Sequence, residues 1–170
     1  MKQSGEFGEL VTMDHKVMIE QDEGCEYFAA EKGNANHLLV IQDQYTQWLQ
    51  AYPVPAKYHE EVRDRLLTFF GPEYHPDYQG PGGRKVPGQV YTDSAEEYKS
   101  ALKGLRWIAE KSTPHHSATN GLAERAIRRV REGTAIMLAQ SQLDPLWWPG
   151  AAQTLCFLRF VKDVLHPDSK

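Results

Sequence analysis

The segment HLLVIQDQYTQWLQAYPV (residues 37–54) decides the fold. Its first half is an apolar run typical of a buried strand, and its second half follows closely enough to pair with the first as a hairpin. A β-rich stretch at residues 10–19 precedes the hairpin and predicts one more strand. The chain is therefore expected to begin with three strands.

Beyond the hairpin, helical and strand patterns alternate. A helix is expected from residue 58 to Gly71, because four apolar side chains recur on one side at helical spacing: Tyr58, Val62, Leu66 and Phe69. Residues 71–88 contain five Gly and four Pro and predict a loop. A strand at 88–93 and a helix with Ser94 as its N-cap follow. After them come a strand at 106–113 and a long helix at 119–143. The apolar stripe of the long helix consists of Leu122, Ala126, Val130 and Met137. A final helix covers about 147–165.

The order β-β-β-α-β-α-β-α-α predicts an α/β fold with a mixed five-stranded sheet and helices on both faces. A domain of residues 9–165 is expected, with an N-terminal extension at 1–8 and a C-terminal tail at 166–170. Ligands of open α/β sheets gather at the carboxyl ends of the strands. Acidic residues near those ends are therefore the first candidates for a functional site.

Length and composition restrict the class of protein. A chain of 170 residues suits one domain, and 41% hydrophobic with 25% charged residues excludes wholesale disorder. Two cysteines, Cys25 and Cys156, are too few for a disulfide framework or a four-cysteine zinc site. No apolar run approaches the roughly 18 residues of a membrane span. We expect a soluble intracellular protein that has no membrane partner.

Charge is unevenly placed along the chain. The net charge of −4 argues against coating nucleic acid by bulk charge. Residues 1–43 hold nine acids and three lysines, for −6, whereas residues 99–131 hold eight basic residues and two acids, for +6. Two solvated faces and an anionic ligand on the second face both account for this split.

Three acids lie at positions where a metal site could form. Asp14 is in the first strand, Asp93 ends the fourth, and Glu124 is in the first turns of the long helix. If the first and fourth strands are neighbours, these carboxylates converge, and oxygen clusters of this kind suit Mg²⁺ or Mn²⁺. Asp43, which also ends a strand, is a rival for the first position. Chance placement of three acids is the alternative.

Three longer stretches carry a resemblance to a known family. The stretches are VYTDSAEEY (90–98), STPHHSATNGLAERAIRRVREGTAIML (112–138) and LDPLWWPGAAQTLCFLRF (143–160). Together they resemble the catalytic core of retroelement integrases, most closely the copia-type retrotransposon branch. The hairpin at 37–54 also resembles the family's second and third strands. The most specific part is NGLAER (120–125) with the preceding Pro114, and the resemblance spans about residues 8–165.

The resemblance implies an RNase H-like fold and a D,D,E polynucleotidyl transferase. Asp14, Asp93 and Glu124 match the family's catalytic and metal-binding triad, with Asp14 bridging two Mg²⁺ (or Mn²⁺) ions. The implied reactions are metal-dependent DNA 3′-end processing, which is a nuclease reaction, and strand transfer for a retrotransposon. The implied partner is double-stranded DNA, from element ends and target. At least a homodimer and a nuclear location are also implied.

The sequence departs from the family pattern in several places. Ser94-Ala95 replace the usual Asn-Gly after the second aspartate, and His115 replaces a Tyr. The loop at 71–88 is longer than typical, the 31 positions from Asp93 to Glu124 are a short interval, and the usual zinc module is absent. A fragment of a polyprotein and a decayed element both account for these departures.

Basic and aromatic residues surround the candidate acids. The long helix carries a basic run made of Arg125, Arg128, Arg129 and Arg131. This run is either a solvated face or, because it adjoins Glu124, a contact surface for DNA phosphates. Lys111 and the helix start at Asn120-Gly121 would support the phosphate contact. His115 and His116 are interpreted as loop residues near DNA, with simple exposure as the alternative. Trp147 and Trp148 are expected to pack against the sheet, although stacking on bases is the competing interpretation.

Two other functions remain open from the sequence. A catalytically decayed or domesticated DNA-binding or assembly module would keep the fold and the arginine face without turnover. A ribonuclease of the same fold would need a further helix acid such as Glu61 near the cluster, and the NGLAER segment argues against it.

Overall fold

The computed structural model describes residues 5–18, 35–93, 95–111 and 117–165. Its strands are β1 (Leu10–Val17), β2 (His37–Asp43), β3 (Leu49–Val54), β4 (Gln89–Thr92) and β5 (Ala109–Lys111). Its helices are α1 (His59–Phe70), α2 (Glu96–Gly104), α3 (Ser117–Ser141) and α4 (Trp148–Leu165), with short 3₁₀ turns at Pro72–Tyr74 and Pro145–Trp147. The predicted order of elements is confirmed.

The five strands form one mixed sheet in the order β3-β2-β1-β4-β5. β1 pairs antiparallel with β2, and β2 pairs antiparallel with β3, as the hairpin predicts. On its other side β1 pairs parallel with β4, and β4 pairs parallel with β5. These parallel strands are joined through helices, because a parallel pair needs a crossover connection. The mixed five-stranded sheet is confirmed.

Each face of the sheet has its own apolar core. One core combines the side chains of β1, β2 and β4 that point to one face with α1 and α2, and it includes Val11, Met13, Ile41, Leu66 and Tyr98. The other core combines the opposite face of β2 and β3 with α3 and α4, and it includes Leu38, Val40, Val130, Trp148 and Ala152. Alternation of side chains along the strands makes this division necessary. Helices therefore cover both faces, as predicted.

The helices α3 and α4 pack together closely at Gly133. A Cβ atom at this position would come within 2.5 Å of Leu155 Cδ2. Trp148 is buried in the same core, which confirms the packing expected for it, and Cys156 is buried there as well. Burial raises the pKa of the Cys156 thiol to about 11, so the thiol stays protonated at neutral pH. Cys25 lies outside the described residues.

Several sequence predictions about local structure are wrong. Tyr58 is exposed and stands before α1, so only Val62, Leu66 and Phe69 of its predicted stripe are buried. The N-cap of α2 is Ala95, not Ser94, which itself lies outside the described residues. The helix α3 begins at Ser117, before the predicted start. Its buried stripe is Ala126, Ile127, Val130, Thr134 and Leu138.

None of the helices in the described part of the chain is both long and apolar enough to cross a bilayer.

The segment before β1 also packs against the core. Phe7 contacts Phe69 and Phe70, with ring centroids 5.9 and 5.8 Å apart. Residues just before β1 therefore contribute to the core under α1.

The pairing of β1 with β4 depends on a close backbone approach. Gly88, just before β4, donates its N–H to the carbonyl of Gly8 at 2.9 Å. A Cβ at Gly88 would lie 2.6 Å from the carbonyl oxygen of Glu9 and 3.1 Å from its Cα. Neither atom can move aside without shifting the start of β1. Only glycine fits here.

We predict that Gly88→Ala lowers the free energy of unfolding by about 1–3 kcal/mol, because the added methyl group meets fixed backbone. The matched control is Gly104→Ala at the end of α2, where a Cβ meets nothing within 4 Å. The control should be neutral or stabilised by up to about 1 kcal/mol. Urea denaturation measures both, and equal stability of the two variants would contradict the close approach.

Candidate active site

Asp14 faces the helix α3 from the middle of the sheet. It lies opposite Val40 in the pairing of β1 with β2, and Val40 belongs to the core under α3 and α4. The neighbouring residues Met13 and His15 are buried on the opposite face, as alternation along a strand requires. Asp14 is half-buried, and its Oδ1 accepts a hydrogen bond from the His15 backbone N–H at 2.7 Å.

Asp93 lies on the same face of the sheet, directly after β4. Thr12 pairs with Tyr91 across the parallel β1–β4 ladder, so the residues two positions further on, Asp14 and Asp93, point the same way. The Asp93 Oδ1 accepts a hydrogen bond from the Ala95 backbone N–H at 3.1 Å. Thr92 donates its hydroxyl to the Asp93 carbonyl at 2.7 Å. These bonds hold the residue at the turn between β4 and α2.

The third acid approaches from above the sheet. Glu124 lies on α3, the helix that packs across β1 and β2. Together with Asp14 and Asp93 it lines one cavity of about 240 Å³, whose remaining walls are Met13, Tyr91, Thr92 and Ala123. The structure therefore brings all three acids from separate elements to the edge of a single cavity.

The pKa of Asp14 is raised above its usual value. Burial is the largest cause, and the negative charges of Asp93 and Glu124 add to it, while the His15 backbone hydrogen bond and Lys57 oppose it. Burial disfavours a carboxylate, and neighbouring carboxylates repel it. A bound cation would relieve both effects.

The three carboxylates are ligands of the kind that Mg²⁺ prefers, although they do not surround a common position. Hard divalent cations such as Mg²⁺ prefer carboxylate oxygens and keep several water ligands. Three carboxylates on one cavity offer such oxygens. Within the described ranges, no three His, Cys, Asp or Glu side chains are close enough to hold an ion as they stand. Binding would therefore require the exposed Asp93 and Glu124 side chains to turn towards Asp14.

The sequence is similar to part of a retrotransposon polyprotein. Over 132 residues, or 74% of the chain, the sequence is 27% identical to the Retrovirus-related Pol polyprotein from transposon TNT 1-94 of Nicotiana tabacum. The chain matches only 9% of the length of that polyprotein. No family model matches the chain.

The fold is similar to that of a solved integrase domain. The catalytic core domain of BIV integrase superposes with a TM-score of 0.52 at 15% identity, covering 91% of this chain and 82% of that one. The resemblance to a retroelement integrase core is confirmed. The α/β fold is accordingly RNase H-like, as the resemblance implied.

In this integrase-like core, Asp43 has a structural role. It is fully buried at the end of β2. Its Oδ1 accepts a hydrogen bond from Gly8 N–H at 2.9 Å, and its Oδ2 accepts two from the backbone N–H and the hydroxyl of Thr46, both at 2.7 Å. The carboxylate thus fixes the β2–β3 turn and the segment before β1. It does not line the cavity that Asp14 shares.

The arginines of the integrase-like core form an exposed face on α3. Arg125, Arg128, Arg129 and Arg131 are all exposed, within two turns of Glu124. Lys111 ends β5 and Asn120 lies in the first turn of α3, and both side chains lie outside the described part of the structure. His115 and His116 lie outside the described residues. Trp147 is 48% exposed, whereas Trp148 is buried.

Sequence reasoning missed a buried pair beneath Asp14. The Nδ1 of His15 lies 2.6 Å from the Tyr98 hydroxyl, and the two rings are stacked with centroids 5.1 Å apart. Burial lowers the pKa of His15 to about 3, so its ring is neutral. The pair joins α2 to β1 next to Asp14. Alternation along β1 places His15 in the core, but no sequence signal identifies Tyr98 as its partner.

We predict that Asp43→Ala lowers the free energy of unfolding by about 3 kcal/mol, because buried donors lose their acceptor. The control is Asp64→Ala on α1, an exposed acid whose loss should cost about 0.5 kcal/mol. Asp43→Ala should retain any stabilisation by Mn²⁺ that the wild type shows in thermal unfolding. Loss of that stabilisation would make Asp43 a metal ligand instead.

We predict that Arg125→Ala and Arg128→Ala each weaken binding to duplex DNA about equally for all sequences. If each arginine contacts one DNA phosphate, as the resemblance implies, each change should also reduce the slope of log K against log salt by about one. The control is Arg63→Ala, an exposed arginine on α1 across the sheet. Fluorescence anisotropy over a salt series measures the slope. An unchanged slope in both α3 variants would identify the arginine run as a solvated face.

Proposed function

We propose that this chain is the catalytic core of a retrotransposon integrase, with Asp14, Asp93 and Glu124 as its catalytic and metal-binding residues. The observation that supports this most strongly is that carboxylates from β1, β4 and α3 line one cavity near the carboxyl ends of parallel strands. Ligand sites of α/β folds lie at such ends. Residues 9–165 would be the working domain, between short terminal segments.

Each acid would have a defined part in holding two Mg²⁺ or Mn²⁺ ions. Asp14 is half-buried and carries the repulsion of both neighbours, so it is the natural bridging ligand. Asp93 would ligate one ion and Glu124 the other. Bound ions would supply Lewis acidity to the attacking and leaving oxygens of an in-line displacement.

The remaining residues would orient the acids and the DNA. The His15 N–H occupies one oxygen of Asp14, which fixes the direction in which the other oxygen points, whereas the hydrogen bond from the Ala95 N–H to Asp93 would change when the Asp93 side chain turns towards Asp14. The arginines of α3, with Lys111, His115, His116 and Asn120, would contact DNA phosphates and set its register. Element ends and target would both be double-stranded DNA.

The proposed reactions are nucleolytic processing of the DNA 3′ end and transfer of that end into target DNA. The attacking group would be water in the first and the DNA 3′-hydroxyl in the second, and the leaving group is a 3′-oxygen in both. No covalent protein intermediate is needed. Assembly as at least a homodimer and action in the nucleus complete the proposal.

A non-catalytic DNA-binding or assembly module is the second candidate. It is favoured by one observation, that no three acids among the described residues are close enough to hold an ion. The ribonuclease alternative loses support, because Glu61 is on α1 across the sheet and pairs with Arg65 at 3.3 Å. The first two candidates differ in their dependence on divalent ions.

We predict that Asp93→Asn and Glu124→Gln each lower Mg²⁺-dependent strand transfer at least about 100-fold, because loss of outer-shell partners alone costs 10–100-fold. Both variants should fold and bind duplex DNA as the wild type does. The control is Asp64→Asn, the same chemical change on the opposite side of the sheet, which should retain full transfer. Gel-based strand-transfer assays measure the rates.

Retained transfer in either site variant would contradict the proposed triad. A wild type that binds DNA equally well with and without Mg²⁺, shows no thermal stabilisation by Mn²⁺ and never joins strands would support the non-catalytic module.

A further inference from the structure

A second, larger cavity lies beside the candidate active site. It has a volume of about 540 Å³ and is bounded by the end of β1, one face of α3 and the connection between α3 and α4. This volume is in the range of sites that take small organic groups. None of the three proposed catalytic acids lines it, and of its lining residues the proposed function gives a role only to the arginines.

The two cavities are lined by residues of the same two elements, α3 and β1, or next to them. On α3, Glu124 faces the smaller cavity, and Arg128, Arg131, Ala135 and Leu138 continue along the same side into the larger one. Their spacing of four, three, four and three residues keeps them on one helix face. Arg128 is one turn, or about 6 Å, beyond Glu124. On β1, Asp14 lines the smaller cavity, and Val17 lines the larger together with Met18 just after the strand.

The chemistry of the larger cavity combines an apolar wall with a cationic edge. Apolar side chains make up most of the wall: Val17, Met18, Ala135, Leu138, Leu146 and Trp148. Thr134 adds no spare donor, because its hydroxyl already donates to the Val130 carbonyl at 2.7 Å. Arg128 and Arg131 stand at the edge with one acid, Glu132. The edge therefore has a net charge of +1.

An apolar cavity with paired guanidinium groups suits a flat, uncharged ring attached to a phosphate. A base that is paired and stacked in a duplex cannot enter such a cavity, whereas an unpaired base can, because it presents its faces and edges freely. A DNA strand that reaches Asp14 and Glu124 would pass Arg128 within one helix turn. Position and chemistry thus favour the same occupant.

We propose that this cavity binds an unpaired nucleotide of the DNA strand end, with the base against the wall that contains Leu138 and Trp148 and the phosphate on Arg128 and Arg131. The inference rests on the proposed function, since it places the nucleotide next to the reacting bond. The cavity would select DNA ends with a single-stranded extension over blunt ends. It would thereby hold frayed or processed ends in register with the acids.

The test compares three DNA ends in fluorescence anisotropy without divalent ions, at one salt concentration. The DNAs are a blunt duplex, the same duplex with a two-nucleotide 5′ extension, and the same extension built from abasic residues, which keeps the phosphates and removes the bases. The wild type should bind the normal extension about tenfold more tightly than the abasic one, the effect expected when one well-stacked base is lost.

Two cavity-filling variants test the location. Ala135→Phe on α3 and Val17→Phe at the end of β1 fill the cavity from opposite walls, and both should bind the normal and abasic extensions equally. Ala139→Phe is the matched control, because Ala139 is exposed one turn further on and does not line the cavity. It should keep the tenfold preference. Thermal unfolding confirms that each variant is folded.

Equal binding of the normal and abasic extensions by the wild type would overturn the inference. So would a preference that survives in a folded filling variant. These outcomes are independent of catalysis. Strand transfer that depends on Mg²⁺ and Asp93, without any preference for bases in the extension, would leave the proposed function standing and remove only the cavity site. A clear preference for the normal extension without any strand transfer would support the cavity site and contradict the proposed function.

Discussion

The parallel pairing of β1 with β4 is the contact on which the rest of the structure depends. β1 is the central strand, and it alone joins the antiparallel hairpin to the parallel half of the sheet. The register Thr12 to Tyr91 places Asp14 and Asp93 on one face, and α3 crosses β1 on that face. A slip of one residue would turn one of the aspartates to the opposite core. Gly88 and the buried carboxylate of Asp43 hold the strand ends that fix this register.

The same pairing creates an electrostatic problem that a structural role does not explain. Burial and two acidic neighbours raise the pKa of Asp14, so its carboxylate is destabilised as the protein stands. A fold selected only for stability would replace such an acid or pair it with a base. The exposed arginines of α3 begin one position after Glu124. Under the proposed function the acids would hold cations and the neighbouring arginines would hold phosphates, and the net charge of −4 conceals this arrangement.

The sequence alone predicts the order of elements, the mixed sheet and the three acids that share a cavity. These follow from local patterns: the apolar run of 37–43, the helical spacing at Val62, Leu66 and Phe69, and acids at the ends of elements. Ser94 and Tyr58 were assigned wrongly because caps and helix entries depend on the backbone path and tertiary packing, which override propensity. The role of Asp43 depends on Gly8, 35 positions away, and no local pattern contains that information. The cavity beside Arg128 is equally invisible, since α3, β1 and the α3–α4 connection form it only after folding.

Anomalous diffraction from crystals of the chain grown with Mn²⁺ would show directly whether the three acids bind metal. We expect two manganese peaks about 3.5–4 Å apart in the cavity lined by Asp14, Asp93 and Glu124, with Asp14 oxygens between them. The exposed Asp93 and Glu124 side chains should have turned towards the ions. The proposed metal site would be contradicted if no manganese peak appears in this cavity at millimolar Mn²⁺, or if manganese binds there without the three acids as ligands.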